Sequence, residues 1–132
     1  MYYEMYNALK GAIAGVEGVT GVEWFTNQYE GAAPADGRIY VEGMALVPAA
    51  GSKEGGRMTV QIRLHVSSSA GESREAMLAA NDALADRVLS AVEGLPLPYG
   101  GGMTRGLELS SWSYLPKVAD GMVTLVELRA KA

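Results

Sequence analysis

The chain has 132 residues, a formal net charge of −4, one histidine and no cysteine, with 48% hydrophobic and 20% charged residues. That length fits one domain, read here as residues 1–132, and the composition supplies enough apolar material for one core. Disulfide staples and thiolate metal sites are excluded. The 11 Lys and Arg are scattered through different segments, so no specific nucleic-acid binding is expected. Met1-Tyr2-Tyr3-Glu4-Met5-Tyr6 lacks the basic start and apolar run of a signal peptide. No apolar stretch approaches the ~20 residues of a membrane span. The expectation is a soluble protein made inside the cell, with no membrane partner.

Tyr2, Tyr6, Leu9, Ile13 and Val16 recur at helical spacing and predict an amphipathic helix from about Tyr2 to Ala14, stopped by Gly15 and Gly18. Val22 to Tyr29 reads as a strand, residues 31–37 as a turn, and Arg38 to Val47 as a second strand. Pro48 to Gly56, with three glycines, reads as a mobile connection carrying Lys53 and Glu54. The strongest local signal is the alternation of Met58, Val60, Ile62, Leu64 and Val66 with Thr59, Gln61, Arg63, His65 and Ser67. A period of two places the first row in a core and the second on a polar face, next to a subunit or under a helix.

Ser73 is positioned to cap a helix that begins near Arg74. Met77, Ala80, Leu84, Val88 and Ala91 trace its expected buried face, and Gly94, Pro96 and Pro98 end it. Tyr99 to Thr104 is glycine-rich but lacks the lysine and following helix of a phosphate loop, so it reads as a flexible connection. Two strands follow, about Thr104 to Tyr114 and Met122 to Ala130, joined through residues 116–121. Leu107 and Leu109 are out of phase with Trp112 and Tyr114, and one extra residue at Ser110-Ser111, a β-bulge, restores alignment. The fold class is α+β, in the order α-β-β-β-α-β-β, with a mostly antiparallel sheet and helices packed on it.

Chemistry is sparse. His65 has no second histidine and no carboxylate at a supportive sequence offset, so it reads as a solvent-facing or interface residue. Asp82 and Asp86 share a helix face at i,i+4, half of a metal site at most, and read as solvated surface. No catalytic residue, metal or cofactor is expected, and the reading is a non-enzyme.

The stretch ending Ala14-Gly15-Val16, the strands Arg38 to Gly43 and Val60 to Val66, the alanine-rich helix, Leu95 to Tyr114 and Gly121 to Ala132 together resemble small tail-terminator, or tail-completion, proteins of tailed phages. The resemblance covers essentially the whole chain and rests on element order. It implies a helix-on-sheet fold and a hexameric ring. Such a ring caps the tail tube, ends its polymerisation and docks the filled head. The implied partners are other copies of the chain, a tail tube protein and a head-completion or connector protein. The implied location is the host cytoplasm during assembly and then the virion tail. Tyr2, Tyr3, Tyr6, Lys53, Glu54, Arg57, Arg63, His65, Tyr99 and Arg105 are the expected assembly-interface residues. The alternatives are a head-closure or connector protein of the same particle, or a ligand-binding or enzymatic α+β domain with a site around His65, Trp112 and Arg105.

Overall fold

The computed structural model describes residues 2–24, 36–48, 58–68, 73–115 and 121–131. In chain order they form α1 (Tyr2–Ile13), β1 (Gly21–Trp24), β2 (Arg38–Pro48), β3 (Met58–Ser68), α2 (Arg74–Val92), β4 (Pro98–Tyr99), β5 (Gly102–Met103), β6 (Glu108–Leu115) and β7 (Met122–Lys131). The fold is α+β, with the expected order of two helices and five main strands. The predicted continuation of β1 to Tyr29, most of the turn predicted over 31–37, the connection predicted from Pro48 to Gly56 beyond Pro48, and the connection predicted over 116–121 up to residue 120 lie outside the described residues.

The main sheet has the strand order β1-β2-β3-β7-β6. β1 pairs with β2 in parallel, and the other three pairings are antiparallel. β7, last in the chain, therefore lies between β3 and β6. The expected bulge in β6 is present: Leu109 faces Leu128 and Ser111 faces Glu127, leaving one extra residue between them. Trp112 is thereby placed opposite Val126 and packs against the core. A second extra residue, which the sequence pattern did not reveal, lies in β2 between Glu42 and Ala45.

Val60, Ile62, Leu64 and Val66 are fully buried. They share one cluster with Met5, Leu9 and Ile13 of α1 and with Leu84, Ala85, Val88 and Val92 of α2. Both helices thus cover the same face of the sheet. Each fully buried Leu, Ile or Val side chain in this layer contributes roughly 1.5–3 kcal/mol of hydrophobic stabilisation.

α2 begins as predicted, with the Ser73 hydroxyl accepting the Ala76 N–H at 3.1 Å. Its buried face differs from the expected one. Leu84 and Val88 are buried, but Met77, Ala80 and Ala91 are only half-buried, while Asn81, Ala85 and Val92 occupy the interface. In an alanine-rich helix the apolar stripe is weak, and polar bonds from Asn81 to the sheet set the rotation. Its amide donates to the carbonyls of Val66 at 3.0 Å and Met122 at 3.2 Å, and its Oδ1 accepts from Thr124.

The glycine-rich stretch after α2 is a hairpin rather than the shapeless connection expected. β4 and β5 pair across Gly100 and Gly101, both at positive φ, the conformation a two-residue primed turn demands. The pairing continues outward. Leu95 accepts from the Leu107 N–H at 3.0 Å, and Thr104 N–H donates to the Leu97 carbonyl at 2.7 Å. Leu97 and Leu107 are buried and anchor the hairpin in the core. The strand predicted from Thr104 accordingly starts at Glu108, because Thr104 is buried and its Oγ1 accepts the Leu97 N–H while donating to the Arg105 carbonyl.

Candidate assembly surfaces

Residues directly opposite in adjacent strands share a face. The row Thr59, Gln61, Arg63, His65 and Ser67 therefore lies on the face away from the helices, together with Leu125, Glu127, Arg129 and Lys131 of β7. Neither described helix covers it. One end of this outer face, at His65, Ser67 and Val123, is buried, whereas Arg63, Arg129 and Lys131 at the other are exposed.

Cross-strand charge pairs tie the outer face together. Glu23 of β1 meets Arg38 of β2 at 3.0 Å. Glu42 of β2 pairs with His65 of β3. Arg63 of β3 meets Glu127 of β7 at 2.8 Å, and Glu127 also accepts the Ser111 hydroxyl of β6 at 3.1 Å. His65, expected at a solvent or subunit surface without a carboxylate, is 5% exposed and has one. Its partner lies 23 residues away in sequence. Only the strand register, Tyr40 opposite His65 and Glu42 diagonal to it, brings the two together.

Beyond the exposed end of this face is an open cleft of about 320 Å³ lined by Thr59, Arg105, Gly106, Glu108, Arg129, Ala130 and Lys131. The Arg105 N–H donates to the Lys131 carbonyl at 2.9 Å, which pins the end of the hairpin segment against β7. Three cations and one carboxylate thus converge in a chain of net negative charge.

Across 99% of its length this chain is similar in structure to a solved chain titled "Virion of native gene transfer agent (GTA) particle", of which 92% is covered, with a TM-score of 0.63 and 20% sequence identity. The two chains share a fold. No family model matches the chain, and no curated protein matches it.

The expected interface residues fall into separate groups on this fold. Tyr3 is 74% exposed and Tyr2 is 40% exposed on α1. Tyr6 is half-buried, its ring edge-on to Trp24 at 5.7 Å, and its hydroxyl donates to the Val22 carbonyl at 3.4 Å. Burial, then the neighbouring Glu23 carboxylate and Tyr3, push the Tyr6 phenol above its ordinary value. Tyr99 packs against the core from the hairpin. Arg63 and Arg105 are exposed, His65 is buried, and Lys53, Glu54 and Arg57 lie outside the described residues.

The ligand-site alternative required His65, Trp112 and Arg105 to converge. They do not: His65 is on the outer face, Trp112 packs on the helix-covered face, and Arg105 lines the cleft at the far end of β3. Among the described residues, no group of three or more His, Asp or Glu side chains is placed to hold a metal ion. None of the described helices is long and apolar enough to cross a membrane. Arg129 and Lys131, which complete the cleft with Arg105, were not singled out in the sequence. Their i,i+2 spacing on a strand was the available signal.

Proposed function

We propose that this chain is a structural protein of a phage-like particle, acting as a tail terminator. Copies form a ring of six that caps the tail tube, stops its growth and offers a docking surface to a head-completion or connector protein. Assembly takes place in the host cytoplasm and the ring stays in the virion tail. The action is stoichiometric binding, without turnover.

The observation that carries this reading is the whole-chain fold likeness to a chain of a gene transfer agent virion, covering 99% of one chain and 92% of the other. It agrees with the element-order resemblance to tail-completion proteins. Charged surfaces on both layers of the fold suit assembly, because head-to-tail rings require two different patches on each protomer. A mildly acidic ring also suits a conduit through which DNA passes without being gripped.

Removing the gene from a particle-producing strain tests the proposal. Terminator action predicts tails of uncontrolled length and unjoined heads, visible by negative-stain microscopy, and immunogold labelling of the head-proximal tail end in the wild type. Tails of normal length carrying the label on the head side of the joint would instead assign the chain to head closure.

A further inference from the structure

The cleft and the outward side of α2 carry opposite charges and lie on opposite layers of the molecule. Glu75, Asp82 and Asp86 of α2, with Glu93 at its C-cap, are all exposed. At about 100° per residue they fall within one stripe roughly 40° wide along the helix. No ion pair holds any of the four among the described residues, and the nearby Arg87 guanidinium is turned to the Glu17 carbonyl at 2.8 Å. Arg105, Arg129 and Lys131 likewise make no ion pair among the described residues, although Glu108 stands opposite Arg129 in the β6–β7 register. The cleft is therefore a surplus of cations and the stripe a surplus of carboxylates.

Their spacings match. Asp82 and Asp86 are one helical turn apart, about 6 Å along the axis. Arg129 and Lys131 are two strand residues apart on the same face, about 6.6 Å. The helix layer and the outer sheet face point in opposite directions, so one protomer cannot join its own stripe to its own cleft. A second copy can.

Resting on the reading of this chain as a self-assembling protein, we propose that the Arg105–Arg129–Lys131 cleft receives the acidic α2 stripe of the next copy. The contact is heterologous, cleft to stripe, and closes into a ring when its rotation divides a full turn. Charge complementarity of this kind fixes register and speeds encounter, and it weakens as salt screens it.

The test uses two full-length double variants, Arg105→Glu with Arg129→Glu, and Asp82→Arg with Asp86→Arg. All four side chains are exposed, and circular dichroism checks that each variant is folded. Light scattering on a sizing column then reports mass at low and high salt. Wild type should assemble at low salt, toward about 80 kDa for six protomers of 13.9 kDa. Each variant alone should require about tenfold more protein to assemble, or remain monomeric. An equimolar mixture of the two should assemble again, with strict alternation visible by native mass spectrometry. Assembly of wild type and both variants alike overturns the cleft–stripe contact and leaves self-assembly standing. Loss in the cleft variant without recovery on mixing overturns the stripe as the occupant. A wild-type chain monomeric at every concentration and salt overturns both this contact and the self-assembly on which it rests.

Discussion

Asn81 of α2 accepts the hydroxyl proton of Thr124 of β7 while its own amide spans the carbonyls of Val66 in β3 and Met122 in β7. Both side chains are fully buried. One polar side chain therefore joins the helix to two strands that meet in the middle of the sheet. Replacing Asn81 by Ala strands a buried hydroxyl and two carbonyls, and should cost about 2–4 kcal/mol in urea unfolding. Thr124→Val should cost less, and the double variant should be non-additive by about 1 kcal/mol or more. Strict additivity would mean that the two groups act independently.

The charge pairs on the outer face should not be equal in worth. His65 is buried, so Glu42→Ala removes a hydrogen-bonding partner from a desolvated ring and should cost about 1–3 kcal/mol. Arg63 is exposed and its bond to Glu127 is screened by water, so Arg63→Ala should cost less than about 1 kcal/mol. Chemical denaturation of the two variants at the same pH and salt gives the comparison. Equal costs would contradict the burial argument.

Two glycine-to-alanine changes should move stability in opposite directions. Gly37 has a φ of 74°, and a Cβ there would lie 2.3 Å from the Gly18 carbonyl oxygen. Backbone atoms must shift, so Gly37→Ala should destabilise by about 2 kcal/mol or more. Gly11 lies within α1 with open space around its missing Cβ, so Gly11→Ala should stabilise by about 0.5–1 kcal/mol. Thermal unfolding reads both.

Tyr6 gives an alkaline signature. Its folded phenol ionises above its ordinary value of 10.0, chiefly because of burial. The stability this group contributes is fully present below the unfolded value and is lost as pH rises through the higher folded one. Tyr6→Phe removes that proton linkage, so the fall in stability above about pH 10 should be shallower in the variant. The late-ionising phenol should also vanish from an absorbance titration. Identical alkaline profiles for wild type and variant would place the linkage elsewhere.

Much of the architecture could be read in the sequence because it is written locally. The alternation through Met58 to Ser67, the Ser73 cap and the phase slip at Ser110-Ser111 each follow from residues a few positions apart, and each has its counterpart in the fold. What escaped depends on distant partners. The rotation of α2 follows bonds from Asn81 to strands 15 and more than 40 residues away. The pairing of His65 with Glu42 exists only once β2 and β3 are in register. The cleft could not be read from the sequence, since Arg105 lies more than 20 residues before Arg129 and Lys131 and meets them through the bond that fastens residue 105 to the end of β7.

The position of β7 also fixes the order in which the molecule can be completed. β3 and β6 have no pairing with one another; each pairs with β7, which follows both of them in the chain. Until residues 122–131 are available, β6 has no place in the main sheet and Thr124 cannot engage Asn81. The β3–β7 contacts, unlike the local β6–β7 pairing, span a long sequence separation and close slowly, because the loop entropy must be overcome before the pairing can reward it. A chain cut before β7 should therefore leave β3 as an unpaired edge and β6 outside the main sheet. The main sheet is therefore completed only when β7 docks against β3 and carries β6 with it.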